Sequence, residues 1–134
     1  MLALAVAALT LAAAGCNSEW VDRQDRLQRA NTTPPGDYRA DILAFMRTYL
    51  NDPGGVRGAF VSPPALQAFD GSRRYISCLR YNARKSNGQY AGSKDVVVLF
   101  QDGRLDRIVE HASAKEACEG AAYQPFPELE RLTR

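Results

Sequence analysis

The stretch DVVVLF, residues 95–100, narrows most what this chain can fold into. Three successive β-branched valines followed by Leu99 and Phe100 favour a central strand rather than a helix. Hairpin dipeptides bracket it, Asn87-Gly88 before and Asp102-Gly103 after. Such dipeptides suit the positive φ angles of tight turns between antiparallel strands. A two-residue turn at Asp102-Gly103 pairs Phe100 with Leu105, Val98 with Arg107 and Val96 with Val109. Those apolar side chains then share one face, and Arg107 has to snorkel past its edge. Upstream, RRYISCLRYNAR (residues 73–84) reads as another strand, apolar on both faces.

The helix for that face comes earlier. In GDYRADILAFMRTYLNDPGG, residues Tyr38, Ile42, Phe45, Met46, Tyr49 and Leu50 recur at helical spacing, with Asp37 as N-cap and Asn51 to Gly55 as the stop. An aromatic and methionine stripe of this kind is core packing. GAFVSPP is a short apolar run stopped by two prolines and reads as an edge strand. The expected fold class is therefore α+β: one amphipathic helix packed on a three- to four-stranded antiparallel meander over residues 36–134. In the tail EACEGAAYQPFPELERL, Tyr123 and Phe126 alternate with polar residues and prolines. Such a segment either covers an open sheet edge or presents a groove-binding peptide.

Residues 2–14 are Ala, Val or Leu except for Thr10. A bilayer span needs about 20 apolar residues. The run is either a buried helix or the h-region of a signal peptide, and its lack of a polar face favours the second. Ala12-Ala13-Ala14-Gly15-Cys16 resembles the lipobox of bacterial lipoproteins, with Ala13 where that family favours leucine. The resemblance implies a signal peptide over residues 1–15, cleavage before Cys16, and a diacylglycerol (with palmitate-type acylation) on its thiol. No Lys or Arg precedes Cys16, which points to residues upstream of Met1. Asn17 rather than Asp implies passage to the outer membrane, facing the periplasm. Residues 16–35 then form a lipid anchor and flexible tether, about 60 Å long when extended or roughly 25 Å as a coil. Within it Trp20, Gln24 and Leu27 show helical spacing; either Trp20 sits at the headgroup level or the segment is a short frayed helix.

With Cys16 consumed by lipid, Cys78 and Cys118 form an even pair in an oxidising compartment. They make a disulfide, which ties the C-terminal tail, or Cys78 is a reactive thiol without a nearby Cys-x-x-Cys partner. Seventeen basic against fifteen acidic residues, a formal +2, is too balanced to indicate nucleic acid.

No catalytic constellation or metal-ligand spacing stands out. The single histidine, His111, falls at a strand end, with Glu110 on the opposite face. No enzyme activity, cofactor, metal or small-molecule substrate is expected. The remaining feature is basic. Arg74, Arg80 and Arg84 share one strand face, with Lys85 following, and if exposed they form a stripe for an anionic envelope component or an envelope protein.

The segments YRADILAFMRTYLNDP, YAGSKD and AAYQPFPEL resemble an uncharacterised set of small proteobacterial envelope lipoproteins, for which no activity is implied. The expectation is a membrane-anchored, non-enzymatic binding or envelope-assembly module. The alternative is an inhibitor or sensor of a periplasmic hydrolase acting through RKSNGQYAGSK.

Overall fold

A computed structural model describes residues 15–133. The signal-peptide reading of residues 1–14 and the lipid site on the Cys16 side chain lie outside the described residues. In chain order the elements are α1 (Gly15–Thr32), α2 (Tyr38–Tyr49), β1 (Asp52–Val61), β2 (Ala65–Phe69), β3 (Ser72–Arg84), β4 (Lys94–Gln101), β5 (Arg104–Val109), α3 (Ala112–Ala117), β6 (Gln124–Pro125) and α4 (Pro127–Glu130). The strands form one open antiparallel sheet in the order β5-β4-β3-β1-β6. β2 lies beside β1 along the same side of β3. The α+β class with an open antiparallel sheet holds. The single helix and three- to four-stranded meander give way to several helices on a six-stranded sheet.

The extra elements arise because both sheet faces are buried. Alternate residues of β4 point to opposite sides. Val96, Val98 and Phe100 join Leu79, Tyr81 and Val61 on one face, under Ile42 and Met46 of α2 and under Phe126, Leu129 and Leu132. Val97 and Leu99 join Ile76, Cys78, Phe69 and Val109 on the other, under Ala114 and Cys118. Consecutive apolar residues over 96–100 are what a strand covered on both faces requires.

β1 is not the edge strand expected from GAFVSPP, because the tail pairs with it. Phe60 and Val61 face Pro125 and Gln124, and the Phe126 N–H donates to Ala59 O at 2.8 Å. The tail thus starts on one face with α3, passes around the edge as β6 and ends on the other face with α4. This is the covering role the sequence suggested. The Cys78–Cys118 disulfide forms across 40 positions with the Cα atoms 5.6 Å apart, joining mid-β3 to the end of α3.

The Asp102-Gly103 turn has φ of 51° and 74°, the double positive value expected of it, and Asp70-Gly71 makes a like turn between β2 and β3. Phe100 pairs with Leu105 as predicted. A bulge then shifts the register, so Leu99 faces Arg107, Val98 faces Ile108 and Val97 faces Val109. The predicted pairs Val98–Arg107 and Val96–Val109 are therefore replaced. The extra residue, Asp106, lets Ile108 rather than Arg107 pack with the α2 face, and Arg107 stays exposed.

α2 starts where predicted, with Asp37 Oδ1 accepting from the Ala40 N–H at 3.1 Å. The segment expected as a flexible tether is instead helical from Gly15 to Thr32. Its interior lacks proline and glycine, Asp25 and Arg29 pair at 3.6 Å one turn apart, and Pro34-Pro35 follow its end. Residues 18–29 are exposed; only the last turn meets the sheet, where the Asp102 N–H donates to Ala30 O at 2.6 Å.

Candidate functional site

Arg74, Arg80 and Arg84 do alternate onto one side of β3, but they do not form a continuous exposed stripe. Ile76 and Cys78 lie between the first two, beneath α3. Arg74 is only 7% exposed; its guanidinium donates to Phe100 O at 3.1 Å and to Asp106 Oδ2 at 3.2 Å. Arg80 makes a two-pronged pair with Asp95 at 2.6 and 2.9 Å and lies over the Tyr123 ring at 4.5 Å. Hydrogen bonds from Arg80 hold the Asp95 carboxyl below its ordinary range, and the same bonds raise Arg80. A sheet with two covered faces leaves these cations in need of carboxylates, which explains why the stripe is broken up.

The third arginine belongs to a different assembly. Tyr90, bridged to Arg84 at the end of β3, carries two guanidiniums: Arg57 at 4.1 Å and Arg84 at 5.3 Å from the ring centroid. Its hydroxyl donates to Gly55 O at 2.6 Å. Gly55 has φ of 71°, and a Cβ there would stand 3.3 Å from both the Arg84 guanidinium and the Tyr90 hydroxyl, so glycine is required. Asp52 reaches Arg84 only at 4.0 Å. Among the described residues neither Arg57 nor Lys85 has an ion-pair partner. The result is a cationic ledge of Arg57, Arg84 and Lys85 around one aromatic ring. Arg57 escaped the sequence reading because two irregularities in β1 set its register against β3.

Beside the ledge a cleft of about 300 Å³ runs between Arg84, Lys85, Tyr81 and the end of α2. It adjoins a second of about 510 Å³ lined by Arg80, Lys94, Asp95, Glu110, His111 and Lys115. Lys94 and Glu110, common to both, pair at 3.0 Å, and the Tyr49 hydroxyl also donates to Glu110. Burial pushes the Glu110 carboxyl up, yet the bonds from Tyr49 and Lys94 outweigh it and leave it lowered. Burial first, and Glu110 second, push the Tyr49 phenol up to about 12. The buried Tyr81 hydroxyl has no hydrogen-bond partner among the described residues, and burial raises it too. Cavities for small organic ligands are mainly apolar; the Lys94–Glu110 pair stands between these two clefts and the Arg80–Asp95 pair lines the second, which suits a charged group.

His111 lies at the rim. Ser113 Oγ is 2.6 Å from its Nδ1, Asp70 Oδ2 is 3.9 Å from Nε2, and its ring stacks on Phe69. Neither Ser113 nor Asp70 was singled out by sequence reading, since only the β2–β3 turn brings Asp70 near. The Ser113–His111 contact spans two residues at the start of α3, and His111 is 57% exposed. A hydroxyl so placed can share a proton with the imidazole, but the aspartate is beyond hydrogen-bond reach of it. Among the described residues there is no cluster of three potential metal ligands, and no helix is long and apolar enough to cross a membrane. No family model, curated protein or solved structure matches the chain.

Proposed function

We propose that this protein is a non-enzymatic binding module of the bacterial envelope. It is held by lipid on Cys16 at the outer membrane, facing the periplasm, and engages an anionic envelope component or the acidic surface of an envelope protein through the Arg57–Arg84–Lys85 ledge. The observation that carries the compartment is the Cys78–Cys118 disulfide in a chain whose third cysteine follows Ala-Ala-Gly. Disulfides persist in oxidising compartments, and the pairing leaves Cys16 alone for the lipid. Two guanidiniums on one ring, with a lysine beside them, give planar hydrogen-bonding forks suited to carboxylate or phosphate.

Metabolic labelling with a clickable palmitate tests the anchor. Label on the wild type in the membrane fraction, absent from Cys16→Ser, supports it; equal label, or none in either, overturns it. In-cell crosslinking tests the ledge: Arg57→Glu/Arg84→Glu/Lys85→Glu loses the wild-type partner while keeping its disulfide, and an unchanged partner set rules the ledge out. The absence of enzymatic chemistry is tested at Ser113 with a fluorophosphonate probe. Labelling of the wild type that Ser113→Ala abolishes would overturn it.

A second reading, inhibition or sensing of a periplasmic hydrolase, is favoured by the loop at residues 85–93. Its base is fixed by Lys85 N–H to Gln89 O at 2.7 Å, by the Tyr90 hydroxyl, and by Gly92 N–H to Asn82 Oδ1 at 3.0 Å. A loop already ordered loses little freedom on docking. Lack of inhibition of lysozymes and proteases at micromolar concentration would remove this reading.

A further inference from the structure

Among the described residues, three of the five large hydrophobic side chains that stand exposed, Trp20, Val21 and Leu27, lie on α1. At 100° per residue they fall within about 120° of the helix circumference. Gln24, Gln28 and Asn31 share that arc. Glu19, Asp22, Arg23, Asp25, Arg26 and Arg29 all occupy the remainder. A polar connector has no need to segregate its charges in this way. The sheet does not cover the stripe, because α1 meets it only in its last turn.

Position 16 is one turn before Trp20 in the same helix and, by the repeat, falls beside the Trp20–Leu27 line. A rise of 1.5 Å per residue puts Trp20 about 6 Å along the axis from position 16. A lipid there brings the start of α1 to the headgroup layer, where tryptophan is favoured.

We propose that α1 lies along the bilayer surface, with Trp20, Val21 and Leu27 in the interface and its charged side toward water. The inference rests on the lipid reading of Cys16. The acyl chains supply the affinity, and the stripe, too small to hold a membrane alone, sets the orientation. Since α1 docks at the Asp102-Gly103 end of β4, the sheet is carried with that end toward the membrane. The ledge, beyond the Lys94 end, sits about 23 Å further along the strand.

Trp20 is the single tryptophan, so its fluorescence reports directly. The full chain is purified from membranes, its lipid adduct read by mass spectrometry, and placed in phosphatidylethanolamine–phosphatidylglycerol vesicles with or without brominated acyl chains. The expected result is a blue shift relative to Cys16→Ser in buffer, with loss of intensity on brominated chains. Trp20→Phe/Leu27→Trp should give the same shift and loss from position 27. An adduct with both positions solvent-like overturns the docking and leaves the anchor standing. A shift at 20 but not at 27 means that α1 stands upright, which also overturns it. A blue shift of Cys16→Ser in buffer, rising with protein concentration, assigns the stripe to a second copy instead. Absence of the adduct overturns the lipid reading, and the docking with it.

Discussion

The two faces of the sheet are both buried, but they are held by different means. Under α2 and α4 the cohesion is apolar volume: Ile42, Met46, Leu79, Tyr81, Val96, Val98, Phe100, Phe126 and Leu129 are essentially inaccessible. On the opposite face the covering helix, α3, has six residues, and Ala114 is its one buried position. There a disulfide and two arginine–carboxylate pairs supply much of what volume supplies elsewhere. A chain of this length can cover the second side of its sheet with very little material if bonds replace bulk.

Truncating Phe126 should have the largest effect. It is fully buried, lies 4.7 Å beneath Arg39, and anchors the tail after it has passed the sheet edge. Phe126→Ala should cost roughly 3–5 kcal/mol in urea unfolding. Next, Cys78→Ala/Cys118→Ala should cost about 2–4 kcal/mol, with faster hydrogen exchange concentrated in α3. Combining the two sharpens the comparison. Additivity within about 0.5 kcal/mol would mean that the faces hold the tail independently, and a larger coupling that the tail acts as one clamp.

Arg74→Met should cost about 1–3 kcal/mol, because Asp106 loses its buried partner and Phe100 O its donor. A neutral result would show that this face needs only apolar cover there.

The smallest effects come with pH. The carboxyls of Asp95 and Glu110 are lowered in the fold. Their contribution is present above the ordinary carboxylate range, about 4, and lost as pH falls through the lower folded values. The phenols of Tyr49 and Tyr123 are raised to about 12, each by burial first. Their contribution is present below the free-phenol value, about 10, and lost as pH rises from there to about 12. Phenolate absorbance together with circular dichroism should show both groups ionising late, with unfolding. Early titration of Tyr123 alone would show the disulfide-linked face to be the looser one.

What the sequence revealed follows locality. Asp37 as a cap, the α2 stripe, Asp102-Gly103 and the Phe100–Leu105 pair are set within a few residues, and all were legible. The shift that begins at Asp106 was not, because the contact Asp106 makes there is with Arg74, which lies 32 positions away. α3 and α4 are too short to show a period, and tertiary contact holds them. α1 was legible only as the helical spacing of Trp20, Gln24 and Leu27, and its full length was not, since a helix that packs only at its end needs no apolar face toward its own core. At the candidate site, Arg84 and Lys85 were visible as charges. Tyr90 was visible near them in sequence, but the packing of Arg57 on its ring was not, because β1 and the residues 85–93 loop meet only in the folded sheet.

The Ser62-Pro63-Pro64 break bears on how the molecule behaves among copies of itself. Ser62 carries the ladder past the interruption, its N–H donating to Cys78 O and its Oγ accepting from the Cys78 N–H, each at 2.8 Å. The two prolines that follow have no N–H to offer. Pro125 removes a donor from β6, and β5 carries a bulge with Arg104 and Arg107 exposed along it. The β5 and β6 margins are therefore poor templates for an incoming strand, whereas β2, which pairs with β3 alone among the described residues, keeps a five-residue edge beyond the prolines. At those two margins crowded copies should resist cross-β growth, and recognition there should run through side chains rather than strand addition.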